Sequence, residues 1–163
     1  MIYGTLLWMK TICFYVPGIP RGYTTTTYKG KFIRGGKDKS YENYVEYCKE
    51  VRDYARKAGV ELPINTTKKD EYCVSTIAYF KDGRHPDPEN IRKGVADALC
   101  YKEDKIKGSK KGNDKYCGGS FLPPRYDKEN PRVFVIVEKY DEADEDQATA
   151  LLRKIEEKFL EER

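Results

Sequence analysis

Apolar residues follow two rhythms along this chain. Residues 11–16 (TICFYV) and 72–80 (YCVSTIAYF) are alternating and β-branched, and such runs predict strands. Residues 132–138 set Val133, Val135 and Val137 against Phe134 and Ile136, which predicts a strand buried on both faces. Elsewhere the period lengthens. Tyr44, Val45, Cys48, Val51, Ala55 and Ala58 recur at helical spacing, with Ser40 suited to the N-cap and Gly59 to the stop. A second helix is predicted over residues 88–99, because Asp87 suits an N-cap and Pro88 a first helical position, where its missing N–H costs nothing. Beyond residue 141, Ala148, Leu151, Leu152, Ile155 and Phe159 form one apolar stripe on a charged helix, which could pack on its own domain or on a second subunit.

The second helix carries the chemistry. At about 100° per residue, Ile91, Val95, Ala98 and Leu99 share one arc that can be buried, while Glu89, Lys93 and Asp97 stack at i, i+4, i+8 on nearly the opposite side. That face would present carboxylate, ammonium, carboxylate. Residues 81–86 connect the strand to this helix, so the acids sit where one hands over to the other. Asp87 and Glu89, with Asp104 returning from beyond the helix, have the oxygen donors that Mg²⁺ prefers. An ion there could activate water and shield charge on a phosphodiester, with Lys93 holding the scissile phosphate. A Glu89/Lys93 pair is also a common surface ion pair, so the spacing alone leaves both readings open.

The order of residues adds to this. Asp87-Pro88-Glu89-Asn90-Ile91-Arg92-Lys93, then Asp97-Ala98-Leu99 and Glu103-Asp104, resembles the D-x-D-N-x-x-K…D-A-L…D-D signature of the RusA family of Holliday junction resolvases. Gly18-Ile19-Pro20-Arg21 resembles the family's G-x-P-R after its first strand, and Tyr41, Tyr44 and Tyr47 its helix of spaced tyrosines. The resemblance covers roughly residues 11–140. It implies a single α/β (α+β) domain with a small mixed sheet and three to four helices. It further implies Mg²⁺ or Mn²⁺ as cofactor, with Asp87, Glu89 and Asp104 as ligands and Lys93 required for cleavage; Glu103 or Asp97 would assist. The implied activity is paired symmetric cleavage of four-way DNA junctions by a homodimer, in the cytoplasm of a bacterial or phage-infected cell. Glu89 stands where the family usually has Asp, and the shorter gap from Asp97 to Asp104 leaves Glu103 and Asp104 competing as third ligand. Residues 108–131 and those after 140 have no counterpart. The expected division is therefore a nuclease domain over 1–140, with a basic arm at 21–39 and a Lys-rich insert at 105–131, followed by an acidic amphipathic helix over 141–163.

Charge sharpens this picture. The net charge is +4, but residues 141–163 hold nine acids against four bases, a balance of −5 that leaves +9 on residues 1–140. A basic body suits a polyanion, since Lys and Arg displace the counterions of phosphates. Arg21, Lys29, Lys31, Arg34 and Lys37 alternate with Tyr23, Tyr28 and Phe32, a mixture that can grip a backbone and stack on bases or form a solvated hairpin. Lys105, Lys107, Lys110 and Lys111 could close over DNA or mark a surface loop. Five cysteines without C-x-x-C spacing and a single histidine argue against zinc and for reduced thiols in a cytosol. No run approaches membrane-spanning length, and the first ten residues lack the basic start of a signal peptide. Other readings of these residues are a flap- or nick-directed nuclease, or a DNA-binding module whose acids are only structural.

Overall fold

Alternation along residues 11–17, 72–80 and 132–139 produces three strands that share one sheet. In the computed structural model, which describes residues 11–23, 27–28, 31–32, 39–64, 72–100, 117–139 and 147–161, β1 is Thr11–Pro17, β4 is Tyr72–Phe80 and β6 is Arg132–Lys139. β6 lies between the other two and runs antiparallel to both. The register sets Phe14 and Val16 opposite Val135 and Val133, which in turn face Thr76 and Ala78. With Val74, Phe80 and Val137, these make the apolar floor of the core. β5 (Arg125–Tyr126) adds to the far edge of β4 in parallel, so the sheet is mixed, in the order β1-β6-β4-β5. Within the basic arm, β2 (Thr27–Tyr28) and β3 (Lys31–Phe32) pair as a separate antiparallel ribbon.

Two helices cover the floor. α1 (Lys39–Lys57) lies against β1 and α2 (Pro88–Cys100) against β4, and the helices also pack on each other. α1 ends as predicted, at Gly59, whose φ of +94° is a conformation glycine adopts without a Cβ clash. Its inward face is Tyr44, Tyr47, Cys48, Val51 and Ala55. From α2 come Ile91, Val95 and Leu99, all without solvent exposure, and each buried aliphatic side chain of this kind contributes about 1.5–3 kcal/mol. The carbonyls at the end of α2 find partners outside it: Arg52 Nη1 donates to Ala98 O at 3.4 Å and the Ile64 N–H to Leu99 O at 3.0 Å. α3 (Gln147–Glu161) follows the sheet, with Leu151, Leu152, Ile155 and Leu160 exposed. The fold is thus a small mixed α+β domain with three helices among the described residues.

One expectation for the sheet is corrected. β6 is buried on one face only: Val133, Val135 and Val137 are covered, while Phe134 keeps 38% of its surface exposed. Both core helices lie on the valine side. On the opposite side Phe134 packs between Tyr15 and Tyr79, at 5.9 and 5.8 Å between ring centroids, and the Arg132 guanidinium sits 4.2 Å over Tyr79. Among the described residues no helix is long and apolar enough to cross a membrane.

Candidate functional site

The link from β4 to α2 is held by local bonds. The Asp82 carboxylate accepts from the Arg84 N–H at 2.8 Å and from its guanidinium at 3.3 Å, which keeps this exposed acid below its ordinary pKa. His85 stacks on Phe80 with 3.9 Å between centroids and 10° between planes. Its Nδ1 lies 2.7 Å from Pro86 O, which can only accept, so Nδ1 carries the proton and, in the neutral ring, Nε2 accepts from Tyr126 O–H at 2.9 Å. His85 is therefore a brace between β4, the loop and β5.

α2 starts as its sequence predicts. The Ile91 N–H donates to Asp87 O at 3.2 Å, placing Asp87 at the N-cap, and Pro88 opens the helix. Asp87 and Glu89 are both exposed there, at the helix end whose dipole favours negative charge. Lys93, one turn further on, is exposed as well. Its ammonium lies 4.3 Å from the centroid of the Tyr23 ring. Among the described residues it forms no ion pair with Glu89, so the ordinary surface pair weighed from the spacing does not form.

Tyr23 reaches Lys93 because the segment after β1 lies along α2. The Tyr23 N–H donates to Asn90 O at 3.0 Å. Two glycines permit the approach: a Cβ on Gly22 would come within 2.9 Å of the Pro86 side chain, and one on Gly94 within 3.1 Å of the Tyr44 ring and 3.3 Å of the Tyr23 nitrogen. Arg21, exposed, begins this strip, and its charge reaches the buried Tyr47 hydroxyl. The candidate acids, Lys93 and Arg21 thus come from two stretches about 70 residues apart that pack together.

Asp97 departs from the expected open face. It is 2% exposed, and its carboxylate accepts from Tyr44 O–H at 3.5 Å. The cause is α1, which crosses α2 at Gly94 and closes over everything after it; all seven residues from Gly94 to Cys100 are buried. Asp97, Arg52, Tyr44 and Cys48 form a polar seam between the helices, since both Arg52 and Asp97 lie near enough to act on the Cys48 thiol. Burial is the main cause that pushes that thiol up to about 11. Beneath it, the Tyr47 hydroxyl is buried without a hydrogen-bond partner, and burial raises its pKa.

Of the remaining candidates, Lys31 is placed in β3 by its backbone. Glu103, Asp104, Lys29, Arg34, Lys37, Lys105, Lys107, Lys110 and Lys111 lie outside the described residues. Among the described residues no three His, Cys, Asp or Glu side chains come together as a metal-holding group. The donors at the start of α2 are two open carboxylates, and their chemistry fits a hard cation that takes one or two protein carboxylates and completes its shell with water. Sequence reading missed Tyr23 as the support for Lys93 and Tyr44 as the partner of Asp97. Gly94 was the available signal, because a glycine inside a helix costs about 1 kcal/mol relative to alanine unless something approaches closely. In comparisons with known proteins, no family model matches the chain and no curated protein matches it.

Proposed function

We propose that this chain is a Mg²⁺-dependent endodeoxyribonuclease that cuts branched DNA, in the manner of the RusA family that its sequence resembles. The observation that carries the reading is the open triplet Asp87, Glu89 and Lys93 on the first two turns of α2, in the order of that family's signature. Asp87 and Glu89, with Asp104 or Glu103, would hold Mg²⁺ or Mn²⁺. Such an ion supplies an activated water and charge neutralisation at the phosphodiester. Lys93, held over Tyr23 and free of an acidic partner among the described residues, offers an ammonium for a phosphate oxygen. Asp97 supports the helix from below and takes no part with the open acids. Arg21 extends the positive surface beside Lys93, and the basic residues Lys29, Lys31, Arg34, Lys37, Lys105, Lys107, Lys110 and Lys111 would follow the DNA backbone.

Two symmetric nicks need two sites, so the working form in this reading is a homodimer on a four-way junction, acting in a cytoplasm. In this reading the nuclease unit spans residues 1–140, and the acidic segment 141–163, which contains α3, is an addition to it. The test compares cleavage of four-way, flap and linear DNA with Mg²⁺ by the wild type, Asp87→Asn and Lys93→Ala. Paired nicks in the four-way substrate are expected from the wild type, with losses of about 10²–10³-fold in both variants, the range seen when one group stabilising the transition state is removed. Wild-type rates in Asp87→Asn would overturn the assignment. Faster cutting of flaps than of junctions would redirect it to another branched substrate.

A further inference from the structure

Lys93 and Asp97 stand one turn apart on α2, one exposed and the other buried, and two tyrosines join them outside the helix. The Lys93 ammonium lies 4.3 Å from the centroid of the Tyr23 ring. That ring meets Tyr44 of α1 at 5.8 Å between centroids and 81° between planes, the edge-to-face arrangement that aromatic quadrupoles favour. Tyr44 in turn donates its O–H to the Asp97 carboxylate at 3.5 Å, and both of these residues are buried. Both tyrosines are tied in place. The Tyr23 N–H donates to Asn90 O at 3.0 Å, and Gly94 leaves room for the pair: a Cβ there would stand 3.1 Å from the Tyr44 ring and 3.3 Å from the Tyr23 nitrogen.

We propose, resting on the nuclease reading in which Lys93 meets a phosphate oxygen, that Tyr23 and Tyr44 are positioning residues for that ammonium and that Asp97 fixes their place. A lysine side chain is long and flexible, and an ammonium left to wander must be ordered again at every turnover. The face of Tyr23 holds it by attraction between the cation and the ring's electron-rich surface. A ring carries no formal charge, so Lys93 keeps its own charge for the phosphate, whereas a carboxylate partner such as Glu89 would compete with the phosphate for it. Tyr44 keeps the Tyr23 ring at its angle, and the buried Asp97 holds the Tyr44 hydroxyl. Asp97 thus acts on the open face of α2 through Tyr44 and Tyr23, and none of the three touches the reacting atoms. Groups that must stabilise a transition state gain from this kind of support, because the cost of ordering them is met on folding.

The test combines NMR of the full chain without DNA with cleavage kinetics. The Lys93 methylene protons nearest the ammonium, identified by their absence in Lys93→Ala, are expected upfield of those of an unstructured lysine because they lie over the Tyr23 ring. That shift is expected to survive in Tyr23→Phe, to vanish in Tyr23→Leu and to shrink in Tyr44→Phe, which keeps its ring and loses the bond to Asp97. In Mg²⁺-dependent cleavage of four-way DNA, Tyr23→Leu is expected to lower kcat about tenfold with little change in KM, and Tyr23→Phe to stay within about twofold of the wild type. Added to Lys93→Ala, Tyr23→Leu is expected to cost nothing further, since the group that it positions is gone; a merely structural role would multiply the two losses. Lys93 protons at the unstructured position in the wild type, or losses that multiply in the double variant, would overturn the proposal while the wild type still cuts. An unchanged shift in Tyr44→Phe would overturn the part given to Tyr44 and Asp97. A wild type that shows the upfield shift yet cuts no DNA would overturn the nuclease reading, and the role of these contacts in it.

Discussion

Asp87 and Asp97 stand ten residues apart on one helix and are expected to behave in opposite ways. Asp87 touches solvent, so Asp87→Asn should leave stability within about 0.5 kcal/mol while lowering Mg²⁺-dependent cleavage by about 10²–10³-fold. Asp97 is enclosed beside Tyr44, Cys48 and Arg52, so Asp97→Ala should cost about 1–3 kcal/mol, read as a shift in the urea midpoint. Cys48 provides a pH-dependent check on the same seam. Its thiol rises from 9.0 to about 11 on folding, so the folded state favours the protonated form. That contribution is complete below pH 9 and is lost as the pH rises through 11, a fall of about 2–3 kcal/mol. Tyr47, raised by burial, acts in the same direction. Urea midpoints measured from pH 8 to 11 should therefore fall less steeply for Cys48→Ala than for the wild type; equal slopes would contradict this origin. The open residues Asp87, Glu89 and Lys93 could be read from spacing, but the fate of Asp97 could not. Periodicity marks the centre of a buried arc and not its width, and α2, lying between a sheet and another helix, buries almost its whole circumference after Gly94.

The long elements were legible because their patterns are strong over many residues. β4 spans the predicted 72–80, β1 and β6 extend by a residue at one end, and α2 begins directly after its expected cap Asp87, whereas α1 begins at Lys39, one residue before the expected cap Ser40. The two-residue strands β2, β3 and β5 gave no such signal; two residues hold no period, and these strands exist through their partners. The two-sided burial expected of β6 failed for a related reason. A continuous apolar run looks the same whether helices or aromatic neighbours cover its second face, and here Tyr15, Tyr79 and Arg132 do so in part. Contact between the strip after β1 and α2 is signalled in the sequence only by the helix glycine Gly94, and it is testable through Gly22. Gly22→Ala places a methyl 2.9 Å from the rigid ring of Pro86, so the strip must move. A stability loss of about 1–3 kcal/mol is expected, with cleavage falling along with it as Tyr23 leaves Lys93. Unchanged stability and activity would show that this contact does not position the site.

At the scale of the molecule, charge and the exposed faces decide what the fold can meet. The body of the chain is basic and its last 23 residues are acidic, so binding to a polyanion should involve the body and weaken with salt. Arg21 stands beside the candidate site, and Arg21→Ala should reduce the slope of log affinity against log salt by about one for junction DNA. An unchanged slope would remove Arg21 from the DNA surface. A helix forms where the stripe was expected, and Leu151, Leu152 and Ile155 of that stripe are exposed on it; a stripe does not name what it packs on. The central claim is that Asp87, Glu89 and the acid returning at Asp104 share a cation next to Lys93. Anomalous diffraction from crystals soaked in Mn²⁺ tests it most directly. The account predicts a peak within about 2–2.5 Å of oxygens from both Asp87 and Glu89, completed by Asp104 or Glu103. An ordered site whose acids point away from one another and hold no peak would contradict it.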